Sequence, residues 1–422
     1  MQQKTMVLIG AGNRGMYAYA SYALRHPNEL RFVAVAEPDA RRREEFCRLH
    51  GIAPQNAFSS WEQLLAQPRL ADAALIATQD QMHTGPALEA LEKGYDVLLE
   101  KPMAVTPEEC AAIQKKTEQT GRLLAVCHVL RYTRFFSQIR QLLQQGVIGR
   151  LVNIEHSENV AYWHFTHSYV RGPWRNSREA SPVILAKCCH DMDILQWLAD
   201  SRCKEVYSTG DLCHFSAQNA KPDLPARCTD GCPDADSCPF NAARIYFEPY
   251  PDPALVPLIR MVSFDPSPEA RMEALRTGPY GRCVYRCDND AADCQLVNLT
   301  FENGVRASFT MSAFTNENVR RIRLMGTDGE IRGVMEENWV EYYQFSTGRT
   351  VRIELPQSDF GHSGGDDELM RGFVRLLNGE GENRTSARMS TESHLISFAA
   401  ETSRMEKRAV DFEQYVRHVM EK

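Results

Sequence analysis

Three groups of residues in this chain have types and spacings that suit chemistry. Lys101 stands between Glu100 and Pro102 just after an apolar run, and His190 leads the stretch His190-Asp191-Met192-Asp193. An amine and an imidazole exchange protons near neutral pH once burial or a neighbouring charge has tuned them. Lys187 precedes His190 by three residues, and Tyr169 and His167 lie upstream as further proton donors. The second group is Gly10, Gly12 and Gly15, a G-x-G-x-x-G run enclosing Asn13 and Arg14. Such glycines allow a tight turn, a close approach of backbone to a pyrophosphate, and close helix–strand packing, with the helix N-terminus facing the negative charge. Glu37 follows where an acid would bind ribose hydroxyls, so the expected cofactor is NAD. Arg41, Arg42 and Arg43 are near enough to accept a 2′-phosphate, which leaves NADP open. The third group is Cys228, Cys232 and Cys238, with Cys283, Cys287 or Cys213 available as a fourth thiolate. Four thiolates would suit a structural zinc. Free buried thiols fit the spacing as well, disulfides are the remaining alternative though a cytoplasmic context disfavours them, and an iron–sulfur centre would need four well-placed ligands.

Two further segments complete the candidate site. Thr78 to His83 and Glu100-Lys101 each follow an apolar strand, and ligands of open parallel sheets sit beyond the carboxyl ends of strands, so both should face the nicotinamide. A partly desolvated Lys101 beside a cationic ring should have a lowered pKa and assist proton removal from a hydroxyl. Trp163, His164, Trp174 and Arg175 belong to an aromatic, basic loop whose rings suit the apolar faces of a pyranose and whose polar tips suit its hydroxyls. His128 and Arg131 are expected to line the same pocket, and His362, in a glycine-rich turn, to close over it.

These residues must be carried by an α/β chain. At 422 residues the length predicts two or three domains. Up to residue 126, short apolar runs alternate with helical patterns, the mark of a doubly wound parallel sheet. Residues 127–365 read as an α+β substrate domain with a large, mostly antiparallel open sheet and a Cys-rich insertion over about 214–285. Within it Asn303-Gly304 and Asp328-Gly329 signal hairpins, and Ile184 to Leu198 reads as one helix, placing Lys187 and His190 on a common face. Residues 366–422 read as helices packing back on the body.

Composition narrows the partners. Hydrophobic residues at 43% and charged residues at 24% describe an ordinary globular protein. A net charge of −7 without a long basic run excludes nucleic acid as a partner, and no apolar stretch is long enough to span a membrane. The N-terminus lacks a signal pattern, so a cytoplasmic protein is expected. Thirteen cysteines, several in core-like contexts, do not form a secreted disulfide framework. An uncovered sheet face would invite a homo-oligomer.

The glycine motif, the segment ending at His83, Glu100-Lys101-Pro102 and His190-Asp191-Met192-Asp193 together resemble the glucose-fructose oxidoreductase, inositol dehydrogenase and MocA-like (Gfo/Idh/MocA) family over nearly the whole chain. The resemblance implies an N-terminal Rossmann domain and NAD(P)-linked oxidation or reduction of sugars and polyols. It also implies that Lys101 is the active-site lysine and His190 a substrate-facing acid/base. Many members carry Asp four residues before that histidine, where this chain has Ala186 followed by Lys187. The expected activity is oxidation of a ring hydroxyl of a pyranose or glycoside, at C3. Two alternatives stay open: an NAD-cofactored glycosidase working by transient oxidation, elimination, hydration and re-reduction, and a non-catalytic sugar- and NAD-sensing regulator.

Overall fold

In the computed structural model, which describes residues 2–247, 255–263, 265–357 and 362–421, the first apolar runs form β1 (Lys4–Ile9), β2 (Leu30–Ala36), β3 (Ala57–Phe58), β4 (Ala73–Ile76), β5 (Asp96–Leu99) and β6 (Leu124–Val126). All pair in parallel, in the order β3-β2-β1-β4-β5-β6. Strand side chains alternate between faces, and both faces are buried. Val7 and Ile9 enter one apolar core while Met6 and Leu8 enter another. The two-residue β3 lacks an apolar run and left no signal in the sequence.

The second sheet comprises β7 (Leu151–Ala161), β8 (Cys203–Asp211), β9 (Cys294–Phe301), β10 (Arg306–Thr315), β11 (Val319–Gly326), β12 (Gly329–Val334), β13 (Trp339–Gln344), β14 (Arg349–Glu354) and β15 (Val410–Asp411). Its order is β14-β13-β12-β11-β7-β10-β9-β8-β15, and β7 with β10 is a parallel pair in an otherwise antiparallel sheet. At the first hairpin the left-handed backbone falls on Gly304, with φ +85°. Gly329 has ordinary φ and is needed for space instead, since a Cβ there would lie 2.3 Å from the Tyr343 carbonyl oxygen.

The last helices are built into both cores. Helix Gly365–Leu377 contributes Leu369, Met370, Phe373 and Val374 to the core on the Met6 and Leu8 face. Helix Ala387–Glu406 packs against β8 and helix Cys189–Ala199, and its His394 Nε2 accepts the Met103 N–H at 2.8 Å. Arg14 donates to both Asp366 oxygens (2.8 and 3.1 Å), and Arg25 pairs with Asp367. Asp366 and Asp367 thus tie helix Gly365–Leu377 to the first domain, and the residue at its N-cap is Gly364.

The helix expected over Ile184 to Leu198 is broken. Val183–Ala186 ends at Lys187, and a second helix runs Cys189–Ala199. The break occurs where two side chains intervene: the Ala186 carbonyl accepts Lys101 Nζ (2.8 Å), and Lys187 Nζ reaches Glu158 Oε1 (2.8 Å). Lys187 and His190 therefore do not share one regular helix face.

Candidate active site

The turn after β1 has the shape the glycine spacing requires. Gly10 has φ +92°, and a Cβ on it would meet the Ala77 carbonyl oxygen at 2.6 Å. A Cβ on Gly15 would lie 2.2 Å from the Gly10 carbonyl oxygen. A Cβ on Gly12 would meet nothing within 4 Å, so its backbone borders open space at the start of helix Asn13–Ala20. Glu37, at the end of β2, is buried and held by the N–H groups of Ala11 (2.7 Å) and Asp39 (3.0 Å). Its carboxylate is fixed beside that opening, with lone pairs left for hydroxyl donors. These residues fit a dinucleotide, with the pyrophosphate at Gly12 and the adenosine ribose at Glu37. Arg43 donates to the Glu37 carbonyl (2.6 Å) and Arg41 lies 3.8 Å from Asp39, so both are already engaged locally. Asn13 is exposed at the helix start.

Beyond β4 and β5 the loops lock together. His83 is buried with Nδ1 2.7 Å from the Pro102 carbonyl and Nε2 3.3 Å from that of Thr78. It therefore braces the two strand ends, and Thr78 Oγ1 donates to Met82. The Lys101–Pro102 peptide is cis. Burial alone would raise the Glu100 carboxyl, but Arg14 (2.8 Å) and Lys101 outweigh it and hold it below its usual range. Lys101 Nζ crosses to the second domain at Ala186. Asp80, which sequence reasoning did not single out, is half-buried near Lys101 and accepts Trp174 Nε1–H at 3.0 Å. Burial pushes its carboxyl up, and Lys101 and His83 only partly pull it back.

The opposite wall is a network that sequence reasoning also missed. Glu158 and His156 occupy buried positions of β7, in phase with Ile154 and Val160. Glu158 binds Lys187 and, at 2.8 Å, Arg320 from β11. Arg320 also binds Asp191 (2.8 Å), and His156 lies 2.8 Å from the same carboxylate. Burial opposes ionisation of Asp191, yet Arg320 and His156 hold it well below the usual carboxylate range. Tyr169 packs near Trp174, within reach of the charges of Glu158 and Asp80, and burial raises its phenol well above normal, so it is a neutral donor. His164 pairs with Asn318 Oδ1 (3.0 Å) and is lowered to about 3 by burial and then by Lys187, so it too is neutral.

Other expected residues lie elsewhere. His167 turns into the insertion, stacked on Tyr280 (4.4 Å) with Nδ1 2.8 Å from Tyr246 Oη. The wide-turned helix Thr166–Arg171 diverts it from His164. Trp163 is core there, 1% exposed. Arg131 is 1% exposed and bidentate to Asp193 (2.7 Å twice), a structural pair that leaves it no access to a pocket. His128 is fully buried between His190 (5.8 Å between ring centroids) and His394 (5.2 Å). Burial lowers it to about 4, and it does not line an open surface. Arg175 is tied to Asp288 (2.8 Å) and Glu179 (2.8 Å) and anchors a loop. The side chain of His362 lies outside the described residues. The zinc expectation is corrected: among the described residues no three His, Cys, Asp or Glu are placed to hold one metal ion, and all thirteen cysteines are free. Among these residues no helix is long and apolar enough to cross a membrane.

Comparison with known proteins fits this geometry. A family model described as an oxidoreductase family with an NAD-binding Rossmann fold matches residues 4–128, and the model of its C-terminal alpha/beta domain matches residues 140–412. The chain is 22% identical to scyllo-inositol 2-dehydrogenase (NAD(+)) of Bacillus subtilis (strain 168) over 67% of its own length and 70% of that protein's. It is 27% identical to 2,7-anhydro-N-acetylneuraminate hydratase of Mediterraneibacter gnavus, a match spanning only 33% of this chain and 36% of the relative. The fold superposes on the WlbA dehydrogenase from Chromobacterium violaceum, solved in complex with NADH and UDP-GlcNAcA, with a TM-score of 0.65, 15% identity, and 97% and 96% of the two chains covered.

Proposed function

Since the chain belongs to the Gfo/Idh/MocA oxidoreductase family and is an NAD-binding oxidoreductase, we propose that it oxidises a ring hydroxyl, at C3, of a pyranose or glycoside. One observation carries this reading. The Lys101 amine, from the carboxyl end of the nucleotide-binding sheet, bridges to Ala186 and so stands in the seam between the glycine turn and the wall bearing Tyr169, Trp174 and Lys187. A dinucleotide held with its pyrophosphate at the glycine turn would supply the hydride acceptor at its nicotinamide end. Lys101 binds the substrate hydroxyl and, with His190, takes up its proton as the carbon–oxygen bond gains double-bond character. Tyr169 and His164, both neutral, orient the other hydroxyls by hydrogen bonding, and Trp174 offers a ring face. Similarity to a dehydrogenase solved with NADH and a nucleotide sugar supports a sugar substrate.

A second reading is favoured by Asp80, whose raised carboxyl beside Lys101 could protonate a leaving group. In that reading oxidation acidifies the neighbouring C–H, the C1 substituent is eliminated, water adds, and the carbonyl is reduced again. Incubation with free pyranoses and aryl glycosides separates the two. Accumulating NADH without aglycone release supports the dehydrogenase, whereas aglycone release with solvent deuterium at C2 and no net NADH supports the glycosidase. Lys101→Met should lower turnover by about 10²- to 10⁴-fold while leaving NADH binding intact. Parental turnover in that variant would remove Lys101 from the mechanism.

A further inference from the structure

β11 pairs antiparallel with β7 so that Arg320 lies directly opposite Glu158 and Ile322 opposite His156. Directly opposed side chains share a sheet face, as do residues two apart along a strand, so Arg320, Glu158 and His156 point the same way. All are buried. The backbone of Arg320 is itself fixed, its N–H donating to Glu336 Oε2 (2.7 Å) and its carbonyl accepting the Met335 N–H (3.0 Å). Helix Cys189–Ala199 packs against β7, and its first turn carries His190 and Asp191. Its N-cap, Cys188, makes no side-chain capping hydrogen bond, so the helix start is placed from outside. Asp191 accepts Arg320 Nε–H on Oδ1 (2.8 Å) and Nη2–H on Oδ2 (3.3 Å), and His156 Nε2 lies 2.8 Å from Oδ1.

The same guanidinium also orders the chain ahead of that helix. Glu158 Oε2 lies 2.8 Å from Arg320 Nε, and because the single Nε hydrogen is aimed at Asp191, this oxygen is held by charge rather than by a hydrogen bond. Glu158 Oε1 is thereby turned to Lys187 Nζ (2.8 Å). Arg320 therefore anchors the broken helix on both sides of its break, at Lys187 through Glu158 and at Asp191 directly. His190 stands between the two anchors, and Lys101 Nζ meets the Ala186 carbonyl just before them. Charges buried this deeply are little screened, so the anchors are stiff. Stiffness matters here, because a displacement of about 1 Å costs a catalytic group about 10²-fold in rate.

We propose that Arg320 is a positioning residue for the acid/base wall: by holding Asp191 and Glu158 to one sheet face, it sets His190 and Lys187 at the substrate hydroxyl bound by Lys101. The proposal rests on the reading of Lys101 and His190 as the groups that handle the hydroxyl proton. The test is Arg320→Lys in the full chain, which keeps the positive charge but loses the planar fork that serves two carboxylates. Urea unfolding gives the folded fraction. On the pyranose or aryl glycoside that the parent turns over fastest, kcat per folded molecule should fall about 10- to 10²-fold, with KM and NADH affinity unchanged. Asp191→Asn should act in the same direction, and the double variant should lose less than the product of the two effects. In the substrate-free protein, the ring resonances of His190, identified by their loss in His190→Gln, should move in Arg320→Lys. Those of His394, fixed by Met103 and Ser390, should not. Parental kcat per folded molecule in Arg320→Lys would overturn the proposal, as would an unmoved His190 ring. Should the parent turn over no sugar or glycoside, or Lys101→Met keep parental turnover, the functional reading fails while the histidine resonances still decide the placement.

Discussion

Replacing Gly12 and Gly15 separately with alanine distinguishes a cofactor cradle from a merely tight turn. At Gly12 the backbone is ordinary for any residue (φ −74°, ψ −171°) and the added methyl meets no protein atom within 4 Å. The unliganded Gly12→Ala protein should therefore keep its stability, or gain about 0.4–1 kcal/mol from a less flexible unfolded chain. Its methyl enters the space assigned to the pyrophosphate, so NADH affinity should fall at least a hundredfold, about 2.8 kcal/mol. At Gly15 the methyl would sit 2.2 Å from the Gly10 carbonyl oxygen, which is backbone and can yield only by moving the turn. Gly15→Ala should cost about 1–3 kcal/mol of stability before any cofactor is added. The assay is urea unfolding with and without NADH. At a hundredfold excess over the parent's Kd, cofactor should stabilise the parent by about 2.7 kcal/mol and Gly12→Ala by no more than about 0.4 kcal/mol. A Gly12→Ala protein that still binds NADH with parental affinity would refute the placement of the pyrophosphate and the site built around it.

Acid should unfold the protein early. Burial lowers His128 to about 4 and His164, His167 and His394 to about 3. Each is neutral in the fold, while the unfolded chain takes up protons below about pH 6.5. Their contribution is therefore complete above pH 6.5 and is lost as pH falls toward 3–4, by about 2 kcal/mol per histidine at pH 5. A unfolding free energy that stays flat between pH 7 and pH 5 would contradict the burial of these rings. Asp193→Ala strands the buried Arg131 guanidinium and should cost about 3–5 kcal/mol, whereas Asp193→Leu combined with Arg131→Met should recover most of it. Chemical denaturation of the two variants checks this.

The strands were legible because a sheet covered on both faces needs continuous apolar runs, as at Val7–Ile9 and Ala73–Ile76. The glycine turn was legible because its constraints are local. Pairings between distant segments were not. Nothing near Asp191 in the chain indicates that its charge meets Arg320 from β11, and Asp193 gives no sign that Arg131 will take both its oxygens. One signal was available and unused: in β7, His156 and Glu158 fall in the same alternating phase as Ile154 and Val160, so two polar groups had to be buried and partnered. His164 and His167 diverge because the helix beginning at Thr166 is wound more widely than an α-helix, which composition does not reveal.

The return of helix Gly365–Leu377 to the first sheet bears on the order in which the molecule can mature. Leu369, Met370, Phe373 and Val374 each contribute about 1.5–3 kcal/mol on burial, together comparable to the whole stability of a typical domain, about 5–15 kcal/mol. During synthesis the domain that emerges first must wait for more than two hundred later residues before this helix covers its Val129–Tyr132 turn and helix Asn13–Ala20. A nascent chain halted before Gly365 would leave Val129, Tyr132 and helix Asn13–Ala20 without this apolar cover and become a client for chaperones.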